Sequence, residues 1–202
     1  PLFDAWGVGF DTGKLVADLR AVTPLGNGAG GVEESPVFLW LKRENMNSSD
    51  LLTAQLDQIM LPFAGAFTDA TGDDVAFEPL ISSSDAACMV DAMTAQFGAQ
   101  AIRGQLKPDG LKHVLAARLD GKFKSAFPDG PPPDPEATGS NEVAAVSSHL
   151  VSCEAPNTIL LVADADFILD RVCVQEVPVM FGFKAMQPRN DNLASLEIGI
   201  DD

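Results

Sequence analysis

The sequence predicts an α/β domain with a mostly parallel sheet flanked by helices. Strand-like apolar runs alternate along the chain with segments whose apolar residues recur at helical spacing, which is the pattern of a parallel sheet. The run Thr158 to Ala163 is continuously β-branched and aliphatic, as is typical of a central strand covered on both faces. With 202 residues and 46% hydrophobic content, the chain can bury a substantial core, and we expect residues 1–202 to form a single domain.

The first part of the chain predicts a helix, a loop and a strand. Asp11 to Val22 carries its apolar residues on one helical face, with Asp11 or Thr12 as the N-cap. Four glycines within residues 26–31 predict a loop, and Val37 to Leu41 is a short strand-like run. The glycines follow no strand and match neither GxGxxG nor a P-loop, so nucleotide binding has little support.

The middle of the chain predicts two more helices and two more strands. Apolar residues recur at spacings of four, three and four, typical of core-facing helices, in two segments: Leu52, Leu56, Ile59 and Phe63, and then Ala86, Val90, Met93 and Phe97. Period-two alternation predicts strands over Val75 to Ile81 and Leu111 to Leu119. Residues 128–140 hold five prolines and three acidic residues, which predicts an exposed loop inserted into the domain.

The charge and the cysteines exclude several classes of protein. A formal net charge of −16 works against phosphate backbones and anionic lipid surfaces, so nucleic acid is not expected as a partner. Three scattered cysteines form neither a disulfide framework nor a zinc motif, although one disulfide would be compatible with their number. Cys88 and Cys173 lie in apolar patterns and are interpreted as small core residues.

No stretch of the sequence reaches the roughly 20 consecutive apolar residues that a membrane helix needs, and the first residues do not form a secretion signal. Pro1 is an unusual natural start. We therefore expect the chain to be a fragment of a larger protein, with any contact to a membrane made by segments outside it.

Asp164 and Asp166 are the first candidate site. They follow the predicted central strand, two residues apart, so both side chains point the same way in extended geometry. In an open parallel sheet, ligands gather at the carboxyl ends of strands. Paired carboxylates there can hold Mg²⁺ or Ca²⁺ or share a proton, but an acidic pair in this place also commonly caps a following turn or helix.

Two polar segments complete the candidate ligand site. Ser83 and Ser84 follow a predicted strand and could donate to a ligand oxyanion, although serines there more often cap a helix. Asn190 and Asn192 could hydrogen-bond sugar hydroxyls, but their segment is equally typical of a turn. Only His113 and His149 supply imidazole and neither lies in a nucleophile motif, so no catalytic residue, metal ligand or cofactor is predicted.

Five segments in order resemble the GldG-like, gliding-motility type of ABC transporter auxiliary component: LFDAWGVGFDTGKLVAD (2–18), TAQLDQIMLPFAGAF (53–67), GKFKSAFP (121–128), LVADADFILDR (161–171) and NDNL (190–193). The resemblance implies an α/β domain of flavodoxin-like or glutamine-amidotransferase-like character, without the catalytic cysteine of the latter. It also implies an extracytoplasmic, periplasmic location, with the full-length protein anchored to the cytoplasmic membrane. The implied partners are an ATPase and a permease, and carbohydrate is a ligand proposed for the family.

Two functional hypotheses follow. The first is a non-enzymatic auxiliary domain of an ABC transporter that binds a ligand, carbohydrate being one candidate, or partner subunits. The alternative is a hydrolase that uses a divalent metal held by Asp164 and Asp166.

Overall fold

The computed structural model describes residues 1–26, 30–130, 150–179 and 183–201. About 40% of the chain is strand and 20% helix, and the largest sheet curls into a half-barrel. Every strand pair in the described ranges is antiparallel. The prediction of a mostly parallel, flavodoxin-like or glutamine-amidotransferase-like α/β fold is therefore wrong, because the connections that were interpreted as crossover helices are themselves largely extended.

The strands are β1 Val8–Phe10, β2 Lys14–Asp18, β3 Thr23–Gly26, β4 Val32–Ser35, β5 Phe38–Lys42, β6 Gln58–Pro62, β7 Phe67–Asp69, β8 Val75–Ser82, β9 Ala87–Asp91, β10 Val114–Gly121, β11 Asn157–Val162, β12 Val174–Pro178 and β13 Lys184–Pro188. The helices are α1 Leu2–Trp6, α2 Leu51–Ala54, α3 Ala92–Ala95, α4 Ala99–Ile102, α5 Asp170–Cys173 and α6 Asn192–Asp201. Three-residue 3-10 turns cover Arg43–Asn45, Arg103–Gln105 and Asp166–Ile168.

Strand β10 organises the largest sheet. It pairs with β11 on one side and with β8 and β7 on the other, and β1 extends the sheet beyond β7. Leu119 of β10 lies opposite Ile159 of β11 and Phe77 of β8, which aligns apolar side chains across three strands. In the described ranges, the rest of the strand pairing consists of four two-stranded ribbons, β2–β9, β3–β4, β5–β6 and β12–β13.

The helix predicted over Asp11 to Val22 is wrong, because the middle of this segment, with Leu15 and Val16, forms strand β2. Val16 and Ala17 are consecutive and both fully buried, since their side chains enter two different core clusters on opposite faces of the strand. Leu19, which the helix would have buried, is 43% exposed. A strand buried on both faces leaves a continuous apolar run, and a short run of this kind cannot be told from a helix by periodicity.

The two helices with four-three-four spacing are also wrong. Asp50 caps a single helical turn, α2, through the Leu52 N–H, and the chain then becomes strand β6, which pairs with β5. The second segment is strand β9 followed by one turn, α3, and both Met93 and Phe97 are mostly exposed. In each segment, the spacing of the apolar residues is compatible with a helix but also with a strand that adjoins a single helical turn.

Most of the strand predictions are confirmed. Val37 to Leu41 is confirmed as β5, Val75 to Ile81 as β8, and the second half of Leu111 to Leu119 as β10. Thr158 to Ala163 is a strand, β11, but its predicted central position is wrong. Among the described strands it pairs only with β10, so it lies at an edge of the sheet, and Leu160 and Val162 are partly exposed.

Cys88 and Cys173 are buried as predicted, and all three cysteines are free thiols. Of the predicted proline-rich loop, Pro128 and Asp129 are exposed, while residues 131–140, like His149 and part of the glycine loop at 27–29, lie outside the described residues. In the described ranges, helices are too short or too polar to cross a membrane.

Candidate functional site

A polar cleft of about 310 Å³ opens where the ends of several strands meet. We call it the serine cleft. Its walls come from the segment after β2, the end of β5, the 3-10 turn that follows, the turn after β8 and the segment before β10. The lining residues are Arg20, Ala21, Trp40, Lys42, Glu44, Asn45, Ser83, Ser84, Asp85 and Lys112.

A buried carboxylate supports the wall of the serine cleft. Asp18, at the end of β2, is fully buried and accepts hydrogen bonds from the backbone N–H and the hydroxyl of Ser84, each at 2.6 Å. It also accepts the Arg20 N–H at 2.8 Å, while the Ser84 hydroxyl accepts the Ala86 N–H. This network joins the turn after β8 to the end of β2, so it fixes the position of two walls at once.

The serines themselves hold the wall together. Ser83 is buried, and it exchanges hydrogen bonds with the backbone of His113: the Ser83 N–H donates to the carbonyl at 2.9 Å, and the Ser83 hydroxyl accepts the His113 N–H at 2.8 Å. The hydroxyl in turn donates to the Ser84 carbonyl. Because both hydroxyl protons are used within the protein, Ser83 and Ser84 shape the cleft, and their role in ligand binding stays a prediction.

Two of the three charges of the serine cleft that are unpaired within the described part of the chain are cations, and the third is Glu44. Lys42 and Lys112 are exposed and make no ion pair with any described residue, whereas Arg20 pairs with Asp85 at 2.6 Å. Glu44 is the other acidic residue of the lining. The lining therefore carries three cations and two carboxylates.

A second, more open cleft of about 380 Å³ also has Trp40 in its lining, and we call it the arginine cleft. It is bounded by β3, β5, β6, α5, β12 and the residue that follows β13. The lining residues are Thr23, Pro24, Leu25, Phe38, Trp40, Met60, Arg171, Val172, Gln175 and Arg189. No acidic residue lines it among the described residues.

Trp40 lines both clefts, and we refer to the two together as the Trp40 surface. Trp40 is half-buried, and its backbone N–H donates to the Ala21 carbonyl at 2.8 Å, which fixes this part of β5. Five of the 13 Lys and Arg residues of the chain line this surface, against two acidic residues. In a chain of net charge −16, this is a local reversal of sign.

Asp164 and Asp166 form a capped turn at the end of β11. The Asp166 N–H donates to Asp164 Oδ1 at 2.7 Å, while Asp164 Oδ2 is buried without a hydrogen-bond partner among the described residues. Burial raises the pKa of Asp164 to about 7, the Asp166 N–H opposes that shift, and the Asp166 charge adds to it. Asp166 is half-buried, with Arg171 at 3.9 Å.

Asn190 and Asn192 tie the C-terminal segment to the core. Asn192 is fully buried; its Oδ1 accepts the Met60 N–H at 2.9 Å, and its Nδ2 donates to the carbonyls of Met60 and Phe167. Asn190 donates from Nδ2 to the Val172 carbonyl and accepts the Asn192 N–H. Since these amides already bond to backbone groups, the structure gives them a structural role, and their binding of sugar hydroxyls stays a prediction.

The six predicted ligand residues do not form one site. Asn192 and the turn that contains Asp166 meet through the Phe167 carbonyl, but Ser83 and Ser84 line a cleft that includes none of the other four. Sequence reasoning missed the Trp40 surface because its basic residues are spread from Arg20 to Arg189 and no local pattern joins them. The serine run after β8 was the one local signal that pointed to it.

Fold and site together define a mainly antiparallel β domain with a cationic, aromatic-centred pair of clefts on an acidic chain. Residues 1–196 match the sequence model of the family described as an ABC-type uncharacterized transport system, and the chain belongs to that family of auxiliary components. The predicted ABC transporter association is thereby confirmed at the family level, while the GldG-like subtype stays a prediction. No curated protein and no solved structure matches the chain.

Proposed function

We propose that this chain is a non-enzymatic, extracytoplasmic domain of an ABC transporter auxiliary component, and that it binds its ligand or its partner subunits through the Trp40 surface. Membership of the auxiliary family supports the transport role. The Trp40 surface is chosen because five basic residues line it. The full-length protein is anchored to the cytoplasmic membrane beside a permease and an ATPase.

The arrangement of polar groups favours binding over catalysis. The hydroxyls of Ser83 and Ser84 donate to acceptors within the protein. The His113 ring contacts Asp109 at 3.0 Å and forms no hydrogen bond with either serine hydroxyl among the described residues. The hydrolase alternative lacks support, since Asp164 Oδ1 accepts the Asp166 N–H and no three His, Cys, Asp or Glu side chains of the described residues converge as metal ligands.

The experiment uses the full-length protein with its permease and ATPase. Replacing Trp40 by Ala is expected to reduce transport-coupled ATP hydrolysis severalfold, because it removes the side chain shared by both clefts. Trp6→Phe is the matched control, since Trp6 packs on Phe123 and lines neither cleft. Full activity and normal co-purification of the Trp40→Ala protein would contradict the proposed surface.

A carbohydrate ligand is tested separately. An aromatic side chain beside a hydrogen-bonding group can serve as a platform for a sugar, and Trp40 and Gln175 line the arginine cleft together. A glycan array probed with the wild-type chain and with Trp40→Ala is expected to give hits only for the wild type. An array without hits removes carbohydrate from the proposal and leaves the transport role in place.

A further inference from the structure

We infer that the Trp40 surface binds an amphipathic organic anion, one with an apolar or aromatic body and at least one phosphate or carboxylate group. The body lies in the arginine cleft against Trp40, and the anionic group pairs with Arg171 and Arg189. This inference rests on the proposed function, because it names the chemical class of the ligand for the same surface.

The wall of the arginine cleft is apolar and well supported. Met60 and Val172 are buried and pack in one cluster with Trp40. Phe38 is held edge-to-face against Phe63, with ring centroids 4.8 Å apart. A flat or aliphatic body placed here removes apolar surface from water without rearranging the wall.

The two arginines at this wall have guanidinium groups available for a ligand. Arg171 reaches a carboxylate of the described residues only at 3.9 Å, in Asp166, and both side chains are at least half exposed, so that pair contributes little. Arg189 makes no ion pair in the described part of the chain. Its backbone is fixed, because its N–H donates to the Cys173 carbonyl at 2.7 Å.

Three of the other four arginines pair with carboxylates, and Arg103, which makes no ion pair with a described residue, does not line the cleft. Arg118 contacts the carboxylates of both Asp50 and Asp120, and hydrogen bonding to Asp120 raises its pKa. Arg43 pairs with Asp57 at 3.1 Å. Arg171 and Arg189 differ from these arginines because they line one cleft and have no close carboxylate among the described residues. Their guanidinium groups can therefore bind a phosphate or carboxylate in the bidentate geometry that arginine favours.

The serine cleft adds a weaker second anchor. Glu44 and Asp85 offset two of its three cations, whereas no described carboxylate lines the arginine cleft. The principal anionic group therefore belongs with the arginines, and a second polar or anionic group can reach Lys42 or Lys112 past Trp40. The negative charge over the remaining surface repels anions, and it repels long polyanions most, so the patch favours a small anion whose charge lies entirely within it.

The test uses Trp40 as a site-specific reporter. The chain has two tryptophans, so the Trp6→Phe variant grown with 5-fluorotryptophan gives one ¹⁹F resonance, from Trp40. Titration with 1-naphthyl phosphate is expected to shift that resonance saturably, and 1-naphthol, which has the same body without the charge, to bind about tenfold more weakly. Equal binding of naphthol and naphthyl phosphate, or no saturable shift with either, would overturn the inference.

Charge-neutralising pairs locate the anion. Arg171→Gln with Arg189→Gln is expected to weaken naphthyl phosphate binding about tenfold, and Lys42→Gln with Lys112→Gln about threefold.

The control is Lys122→Gln with Lys124→Gln, which changes the net charge equally in a different cavity and is expected to have less than about a twofold effect. An equal loss in this control would mean that overall charge, not the cleft, governs binding. The variant Arg171→Lys with Arg189→Lys keeps both positive charges. It serves as a second variant in case the Gln pair does not fold.

Two further experiments are needed. One distinguishes a lipid headgroup from a soluble anion, and the other distinguishes failure of the ligand class from failure of the proposed function. Co-sedimentation with phosphatidylglycerol vesicles, compared between the wild type and the arginine pair, distinguishes a lipid headgroup from a soluble anion. Arginine-dependent binding in either arm supports the inference, and its absence from both overturns it. If Trp40→Ala impairs the transporter while the isolated chain binds no anion, the proposed function stands and only the ligand class fails.

Discussion

Asp18 and Asp164 are both buried carboxylates at the ends of strands, but they differ in the hydrogen bonds that each accepts. Asp18 accepts three, from the Ser84 N–H, the Ser84 hydroxyl and the Arg20 N–H. Asp164 accepts one short bond, from the Asp166 N–H, and its second oxygen has no partner among the described residues. The same side chain is thus a fully satisfied structural anchor in one place and a partly satisfied one in the other.

The comparison teaches that burial alone does not decide what a carboxylate does. Donors around Asp18 compensate the loss of hydration, so its charge can serve to join two loops at the serine cleft. Around Asp164 the compensation is incomplete, and burial raises its pKa to about 7. Four substitutions test this contrast.

The largest effect is expected from Asp18→Ala. It leaves the partly buried Ser84 N–H without its acceptor and removes two further bonds, so the free energy of unfolding should fall by about 3 kcal/mol. Urea unfolding measures this. Asp18→Asn keeps one oxygen and should lose roughly half as much, and a loss below about 1 kcal/mol for Asp18→Ala would show that the network is dispensable.

Asn192 is the neutral counterpart of Asp18, because it is fully buried and makes three hydrogen bonds to backbone groups. Asn192→Ala should lower the free energy of unfolding by about 2 kcal/mol. It should also increase amide hydrogen exchange in α6, which begins at this residue. Leu193→Ala, a change at a partly exposed neighbour, is the control. Unchanged exchange in α6 would contradict the anchoring role.

Asp164 should make stability depend on pH. The folded pKa of about 7 lies above the unfolded value near 3.9, so the folded state holds the proton more tightly, and stability falls as pH rises from about 4 to about 7. Between pH 5 and 8 we expect the wild type to lose about 1.5 kcal/mol through this group, a figure reduced from the full shift to allow for solvent penetration.

Asp164→Asn should remove that loss, because its side chain does not titrate. Urea unfolding at pH 5 and pH 8 gives the difference for each protein. Asp166→Asn changes the half-buried partner and should keep most of the pH dependence. If the wild type and Asp164→Asn respond equally to pH, then Asp164 is not the group responsible.

The smallest effect is expected from Ser84→Ala, which removes one hydrogen bond to Asp18 and one acceptor for the Ala86 N–H. The free energy of unfolding should fall by about 1 kcal/mol, while binding of naphthyl phosphate should change less than about twofold. Calorimetric titration measures the binding. A loss of affinity as large as that of the arginine pair would assign the hydroxyl to the ligand, as the sequence pattern predicted.

The predictions from sequence succeeded where one local pattern had one interpretation. The alternation in β8 and β10 and the apolar run of β5 are strands, and the buried cysteines were recognised from their apolar neighbours. Helix predictions failed at β2, β6 and β9, because apolar residues spaced three and four apart also fit a strand buried on both faces or a strand that runs into one helical turn. The error in fold class followed directly from those three segments.

The sequence by itself determined that the chain is acidic and apolar enough to fold, and its ordered segments placed it among ABC transporter auxiliary components. It also marked Asp164, Asp166 and the C-terminal asparagines as unusual polar residues. Only the tertiary structure decided that the serines and asparagines form hydrogen bonds within the protein, and that basic residues from Arg20 to Arg189 line clefts beside Trp40. The physical reason is that hydrogen-bond satisfaction and charge clustering depend on contacts between distant parts of the chain, which local periodicity does not contain.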